Sequence, residues 1–136
     1  MRRLASRNQR GTSTLELLAV LPTLLFVFLV GVEMSRAWLT ATLVTNAVRE
    51  GVRTASVAPA ATAPAEGLAR INEVLASANL TAAIGPTVTC NPAPCSTETD
   101  SRVEATVTVN FQTIVPIFVP MLDSVPIQQT ASMRFE

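Results

Sequence analysis

The chain has 136 residues, ten arginines against ten acidic side chains, no histidine and no lysine. Without His or Lys, it cannot form Ser-His or Cys-His nucleophile pairs, Schiff bases or a phosphate-loop lysine, and two cysteines alone are too few for a zinc site. Since aromatic residues are also scarce and the basic residues cluster only at the N-terminus, we expect no catalytic residue, metal, cofactor, small-molecule substrate or nucleic acid.

The first predicted element is a membrane-spanning helix. Residues 17–32 carry no charge, and the stretch counted back to Thr12 contains a single ionisable side chain, Glu16. About 20 helical residues cross the roughly 30 Å hydrocarbon layer, so we place a span at about residues 15–32. Arginines precede the span, and the positive-inside rule therefore predicts a cytoplasmic N-terminus and an extracytoplasmic C-terminal part. The run is too long for an ordinary secretory signal peptide.

Two residues within this apolar segment are unusual. Glu16 places a carboxylate near the cytoplasmic end of the span, where a charge is costly and commonly marks a function. Pro22 removes one backbone hydrogen bond, which predicts either a functional bend or a harmless proline in a membrane helix.

The helix is predicted to continue beyond the membrane. Apolar residues recur every three or four positions, which predicts an amphipathic helix to about Ala55, and we assign residues 12–57 to the whole element. Its apolar stripe consists of Met34, Trp38, Ala41, Val44, Val48, Val52 and Ala55. Trp38 suits the membrane interface, and we expect the stripe to pack on the protein's own C-terminal domain.

A linker and a second, shorter helix follow. Residues 58–65 contain two prolines among small residues, which favours an extended linker. After it, apolar residues share one face of a short helix. They are Leu68, Ile71, Leu75 and Ala78.

The remaining sequence predicts a small antiparallel sheet. Residues 103–111 alternate between apolar and polar side chains, and residues 87–90 and 127–135 give weaker strand patterns. Residues 114–125 are apolar and contain proline, which predicts a packed irregular connection. The fold class is therefore α+β, with a long N-terminal helix and an extracytoplasmic head domain, residues 66–136, in which a short helix covers three or four strands.

Two cysteines of the head domain, Cys90 and Cys95, have four residues between them. This spacing suits a small loop closed by a disulfide, and disulfides persist outside the cytoplasm, where the predicted topology places them. The Cys-x-x-Cys spacing of redox motifs is absent, which makes a redox role the weaker interpretation.

The N-terminal segment resembles a known family. Residues 11–16, Gly-Thr-Ser-Thr-Leu-Glu, fit the type IV prepilin cleavage pattern, a glycine followed five residues later by glutamate at the head of an apolar helix. Residues 10 to about 56 resemble the TadE-like pseudopilins of the Flp/Tad pilus system. The residues that carry the similarity are Gly11, Glu16, the Leu21-Pro22 pair, Glu33, Arg36 and the Arg-Glu-Gly-Val-Arg stretch at 49–53. The sequence departs from the family at Met34-Ser35, where an aromatic and a small residue are expected.

This resemblance implies a function and a set of partners. Residues 1–11 would be a prepilin leader, cut by a prepilin peptidase after Gly11 to leave Thr12 as the new N-terminus. The product would be a minor pilin-like subunit in the inner or plasma membrane, or in an extracellular pilus. Its partners would be the peptidase, other pilins or pseudopilins, pilus assembly membrane proteins and membrane lipid.

The carboxylate of Glu16 has two potential partners. An unpaired carboxylate in hydrocarbon costs on the order of several kcal/mol or becomes protonated. Cleavage after Gly11 would create an ammonium on Thr12, one helical turn away, in the same or a neighbouring subunit. Without cleavage, Arg7 and Arg10 could reach the carboxylate instead.

Two other classes of protein compete with the pilin-like interpretation. One is an uncleaved, single-pass, membrane-anchored extracytoplasmic interaction module, for which the apolar span would be a plain signal anchor. The other, an extracytoplasmic hydrolase, has only scattered carboxylates in its favour.

Overall fold

The computed structural model describes residues 9–97, 100–114 and 124–136, with the side chains of all of these except 9–13 and 83. It contains α1 (Gln9–Val57), α2 (Ala63–Ser77), β1 (Ala82–Asn91), β2 (Arg102–Gln112) and β3 (Ser124–Arg134). The predicted α+β class is therefore confirmed. The chain forms two compact units, Met1–Ser35 and Arg36–Glu136, which are described separately.

In the N-terminal unit, α1 displays an uninterrupted apolar surface. Every described side chain from residue 14 to residue 28 is exposed, with Leu15 69% and Phe28 63% accessible. Among the described residues, the stretch Thr14–Val57 is long and apolar enough to cross a membrane. Pro22 lies inside α1 and does not end it.

In the C-terminal unit, the same helix has one buried face. Val44, Val48, Val52 and Ala55 are at most 1% exposed, as predicted for this part of the stripe. Trp38 belongs to the predicted stripe but does not pack, since its side chain is 77% exposed, and its place at the membrane interface stays a prediction. At 3.6 residues per turn, Trp38 lies roughly a third of a turn round the helix from Val44, outside the face that packs.

The start of the stripe also differs from the prediction. Met34 is 67% exposed, whereas Glu33, which is not a member of the predicted stripe, is only 8% exposed. Hydropathy alone misplaces both residues, because burial depends on which side of the helix the surrounding structure covers.

Helix α2 begins earlier than predicted and buries a different face. It starts at Ala63, within the predicted linker, because Pro64 is accommodated in the first turn, where a missing N–H costs nothing. Its buried residues are Ala63, Gly67, Ile71 and Leu75. Leu68, predicted to face inward, is 36% exposed because Gly67 occupies the contact with α1.

The three strands form one antiparallel sheet in the order β1-β2-β3. On the central strand, alternate side chains are buried, and this confirms the strongest strand pattern in the sequence. They are Val103, Ala105, Val107, Val109 and Phe111. β3 pairs with β2 as predicted, and the greater part of the predicted irregular connection, residues 115–123, lies outside the described residues.

Strand β1 begins at Ala82, five residues before the strand predicted at residues 87–90. Two register shifts, between Ala82 and Ile84 and between Ile84 and Thr87, leave Gly85 and Pro86 out of the pairing ladder. A bulge of this kind accommodates a residue that cannot donate a ladder hydrogen bond.

One core joins these elements. Buried residues of α1, α2, β1 and β2 form a single cluster with Phe135, which follows β3, and Ala131 of β3 packs against it. The cluster includes Val48, Ile71, Val88 and Val107. Arg70 of α2 adds ion pairs at 3.1 Å to Glu50 of α1 and at 2.9 Å to Glu73. The hydrogen bonds that Arg70 donates, first to Glu73 and then to Glu50, raise the pKa of its guanidinium. Pairs as exposed as these contribute little to stability, so apolar packing holds the helices together.

Candidate functional site

The predicted cleavage site lies at the beginning of α1. The described part of α1 begins at Gln9, so the peptide bond between Gly11 and Thr12 lies within the helix. The rest of the predicted leader, residues 1–8, lies outside the described residues.

Glu16 follows Thr12 by four residues on the same helix. Residues four apart lie about 6 Å from each other along a helix and are neighbours on its surface. The Glu16 side chain is exposed, and it makes no ion pair or hydrogen bond with any described residue. The predicted partner, an amine on Thr12, exists only in a cleaved chain.

The apolar surface that follows Glu16 is the largest feature of the N-terminal unit. Leu17, Leu18, Leu21, Leu24 and Val27 are each more than half exposed. Such a continuous apolar surface is stable when lipid or other apolar helices cover it. It fits a membrane anchor. Pro22, within this stretch, leaves the carbonyl of Leu18 without its usual donor.

The two cysteines are joined, as predicted. Cys90, in β1, and Cys95 form a disulfide with their Cα atoms 5.2 Å apart. Cys95 is 6% exposed and belongs to the core cluster, so the bridge anchors the loop to the head domain.

Sequence reasoning missed one residue that holds this loop from outside it, Ser101. Its side chain is fully buried, and its Oγ lies 3.0 Å from the Pro92 carbonyl oxygen and 3.2 Å from that of Pro94. It also accepts a hydrogen bond from the Ser96 N–H at 3.2 Å. No pattern in the sequence distinguishes this serine from the others, because its partners are brought together only by the folded loop.

Sequence reasoning also assigned no role to Gly51 and Gly67. These glycines form the contact between α1 and α2. The sequence does indicate such a contact, because a glycine inside a helical pattern is commonly required for close packing.

The described part of the chain contains no group of three or more Cys, Asp or Glu side chains placed to hold a metal ion.

Comparison with known proteins agrees with this description. Residues 11–53 match the family model described as TadE-like protein, which covers the cleavage pattern, the apolar span and the Arg-Glu-Gly-Val-Arg stretch. No curated protein and no solved structure matches the chain. Over residues 11–53 of its N-terminal helix, the chain is therefore similar to the TadE-like family.

Proposed function

We propose that this chain is a minor pilin-like subunit of a Flp/Tad-type pilus, cut by a prepilin peptidase between Gly11 and Thr12. The observation that carries the proposal is the position of Glu16, one turn after Thr12, at the head of an exposed apolar helix that matches the TadE-like family. The subunit acts by packing this helix against other pilin-like helices and carries out no catalysis itself.

The charge balance of the chain supports removal of the leader. The first eleven residues contain four arginines, which leave six arginines against ten acidic residues after the cut. Cleavage therefore removes the positive charge that holds the N-terminus on the cytoplasmic side during insertion. The head domain, with its disulfide, is then extracytoplasmic.

The second candidate function is an uncleaved membrane-anchored interaction module. The arginines before Gly11 favour it, since they could reach Glu16 without any cleavage. In that case the apolar helix would serve only as an anchor.

Intact mass spectrometry of the protein extracted from membranes separates the two functions. A pilin-like subunit should lack residues 1–11 and begin at Thr12, and it should keep its leader in cells without the peptidase. A full-length chain in peptidase-containing cells would favour the anchored module.

A further inference from the structure

Strand β3 forms one edge of the sheet, and this edge is unusually regular. β3 pairs with β2 on one side in an unbroken register from Ser124 to Arg134. Residues 124–133 carry no charged side chain. Proteins commonly protect sheet edges with charges, bulges or prolines, because an unprotected edge offers backbone donors and acceptors to another chain. After Pro126, β3 has none of these devices before Arg134.

The opposite edge of the sheet shows the contrast. β1 has two register shifts and contains Pro86, and it packs against α2. Only the β3 edge therefore retains the geometry required for strand addition, within the part of the chain that the structure describes.

A groove of about 700 Å³ lies beside this edge. It is lined by four consecutive strand residues, 130–133, and by one side of α1. Consecutive residues of a strand point to opposite faces of the sheet, so a groove that touches all four runs along the edge of the strand. The Ser56 hydroxyl, 3.4 Å from the sulfur of Met133, marks the end where strand and helix meet.

Two cations line the helical side of the groove. Arg49 and Arg53 are exposed, and neither guanidinium makes an ion pair with a described residue. The neighbouring carboxylate, Glu50, forms an ion pair with Arg70. Arg134, at the end of the strand, likewise forms an ion pair with Asp100 at 2.7 Å.

The spacing of these two arginines matches that of an extended chain. Residues four apart on a helix are separated by about 6 Å along its axis. Alternate side chains on one face of a strand are about 6.8 Å apart. Carboxylates at every second position of an added strand could therefore meet both guanidinium groups.

We propose that the open edge of β3 binds an extended acidic segment of a partner protein by strand addition. The partner's backbone pairs with β3, and its alternate carboxylates face Arg49 and Arg53. Pairing of β3 with a second copy is disfavoured, because β3 supplies no carboxylate and would bring four unpaired arginines together. This inference is independent of leader cleavage and of incorporation into a pilus.

The test uses the full chain in phosphatidylcholine nanodiscs and a fluorescein-labelled heptapeptide of alternating glutamate and valine. Fluorescence anisotropy should detect binding, and replacing the glutamates by glutamine should weaken it. Arg49→Gln and Arg53→Gln should each raise Kd by about two- to fivefold, as expected for exposed ion pairs. Arg102→Gln, which removes an exposed arginine from β2, is the matched control and should leave Kd unchanged.

Backbone pairing is tested with two further peptides, N-methylated at the odd or at the even positions. One edge of the peptide faces β3, so one of the two should lose affinity by at least about tenfold and the other should still bind. Hydrogen exchange should slow in residues 130–133 of the bound protein and stay unchanged in β1.

A pair of threonine variants locates the site. Thr130→Glu adds a repelling charge at the edge and should weaken binding, whereas Thr87→Glu adds the same charge to β1 and should not. Equal binding of both N-methylated peptides, or equal effects of the two glutamates, would overturn the proposal. Concentration-dependent pairing of the protein through β3, with no binding of the acidic peptide, would overturn it in favour of self-association.

Discussion

Gly51 of α1 and Gly67 of α2 face each other so closely that a β-carbon on either would lie 3.0 Å from the other's carbonyl oxygen. The β-carbon at Gly67 would also lie 2.8 Å from that of Ala55. Only a residue without a side chain therefore fits at either position, and the two glycines determine how closely the helices approach each other. The side chain that fills the space beside them is Ile71, which is fully buried.

Replacing Gly67 by alanine should destabilise the head domain. Overpacking lowers the free energy of unfolding by about 1–3 kcal/mol, and the higher helix propensity of alanine offsets up to about 1 kcal/mol of this. We therefore expect the free energy of unfolding to fall by about 1–2 kcal/mol. Chemical denaturation of the full chain in detergent, followed by circular dichroism, would measure it.

The matched control is Gly85→Ala, because a β-carbon there meets nothing within 4 Å. Its stability should stay within about 0.5 kcal/mol of the original chain. If both alanine variants unfolded at the same denaturant concentration, the helix contact would not depend on the glycines.

Much of this fold could be predicted from local patterns. The long helix and the alternating strand β2 follow from periodicities that the sequence carries within each element. The buried face of α2 could not be predicted in the same way, because it depends on the close approach between Gly51 and Gly67. Likewise, the strand character of residues 82–86 depends on pairing with β2, which overrides the local preference of Gly85-Pro86 for a turn.

In the candidate site, too, the features that depend on local sequence could be predicted and those that depend on tertiary contacts could not. The pairing of Cys90 with Cys95 could be predicted because both residues lie in one short loop. The roles of Gly11, Thr12 and Glu16 remain predictions, since they depend on a peptidase and on neighbouring subunits. The burial of Ser101 could not be predicted, because its acceptors come from residues seven and nine positions earlier.

The disulfide should stabilise the head domain measurably. Closing a loop as short as that between Cys90 and Cys95 contributes about 2 kcal/mol in the chain-entropy description. We expect the Cys90→Ser/Cys95→Ser variant to be less stable by this amount. Reductant should lower the stability of the original chain to the same value and leave the variant unaffected.

Alkylation gives an independent check of the pair. In protein that has crossed the membrane, neither cysteine should be labelled until reductant is added. Two thiols that react freely in exported protein would contradict the disulfide in the cell.

Gly11→Leu should leave the arginine-rich leader attached. The prepilin pattern places a small residue before the cut, and the leucine side chain would occupy the space that the peptidase must enter. N-terminal sequencing of membrane extracts should then begin at the leader. Asn8→Leu adds the same side chain within the leader and should still be processed. A Gly11→Leu chain beginning at Thr12 would reject the assignment of this site.

The last prediction separates cleavage from assembly. If Glu16 pairs with the ammonium on Thr12, Glu16→Ala removes the pairing partner but leaves Gly11 and the apolar span intact. Insertion should be at least as efficient, because a carboxylate in hydrocarbon is the costly case. Docking into a bundle of helices should fail, because a neighbour's ammonium would then be buried without compensation at a cost of about 3–5 kcal/mol.

We therefore expect the Glu16→Ala chain to be inserted and at least partly processed, yet unable to crosslink to pilin-like partners. Met34→Cys provides an exposed thiol for in-cell crosslinking, since the native cysteines are bonded to each other. Glu104→Ala removes an exposed carboxylate from β2 instead and should retain the crosslinks. Full crosslinking and normal pilus output from the Glu16→Ala chain would show that Glu16 acts only as a charge at the membrane surface and has no role in assembly. The anchored interaction module would then be the better account of the helix.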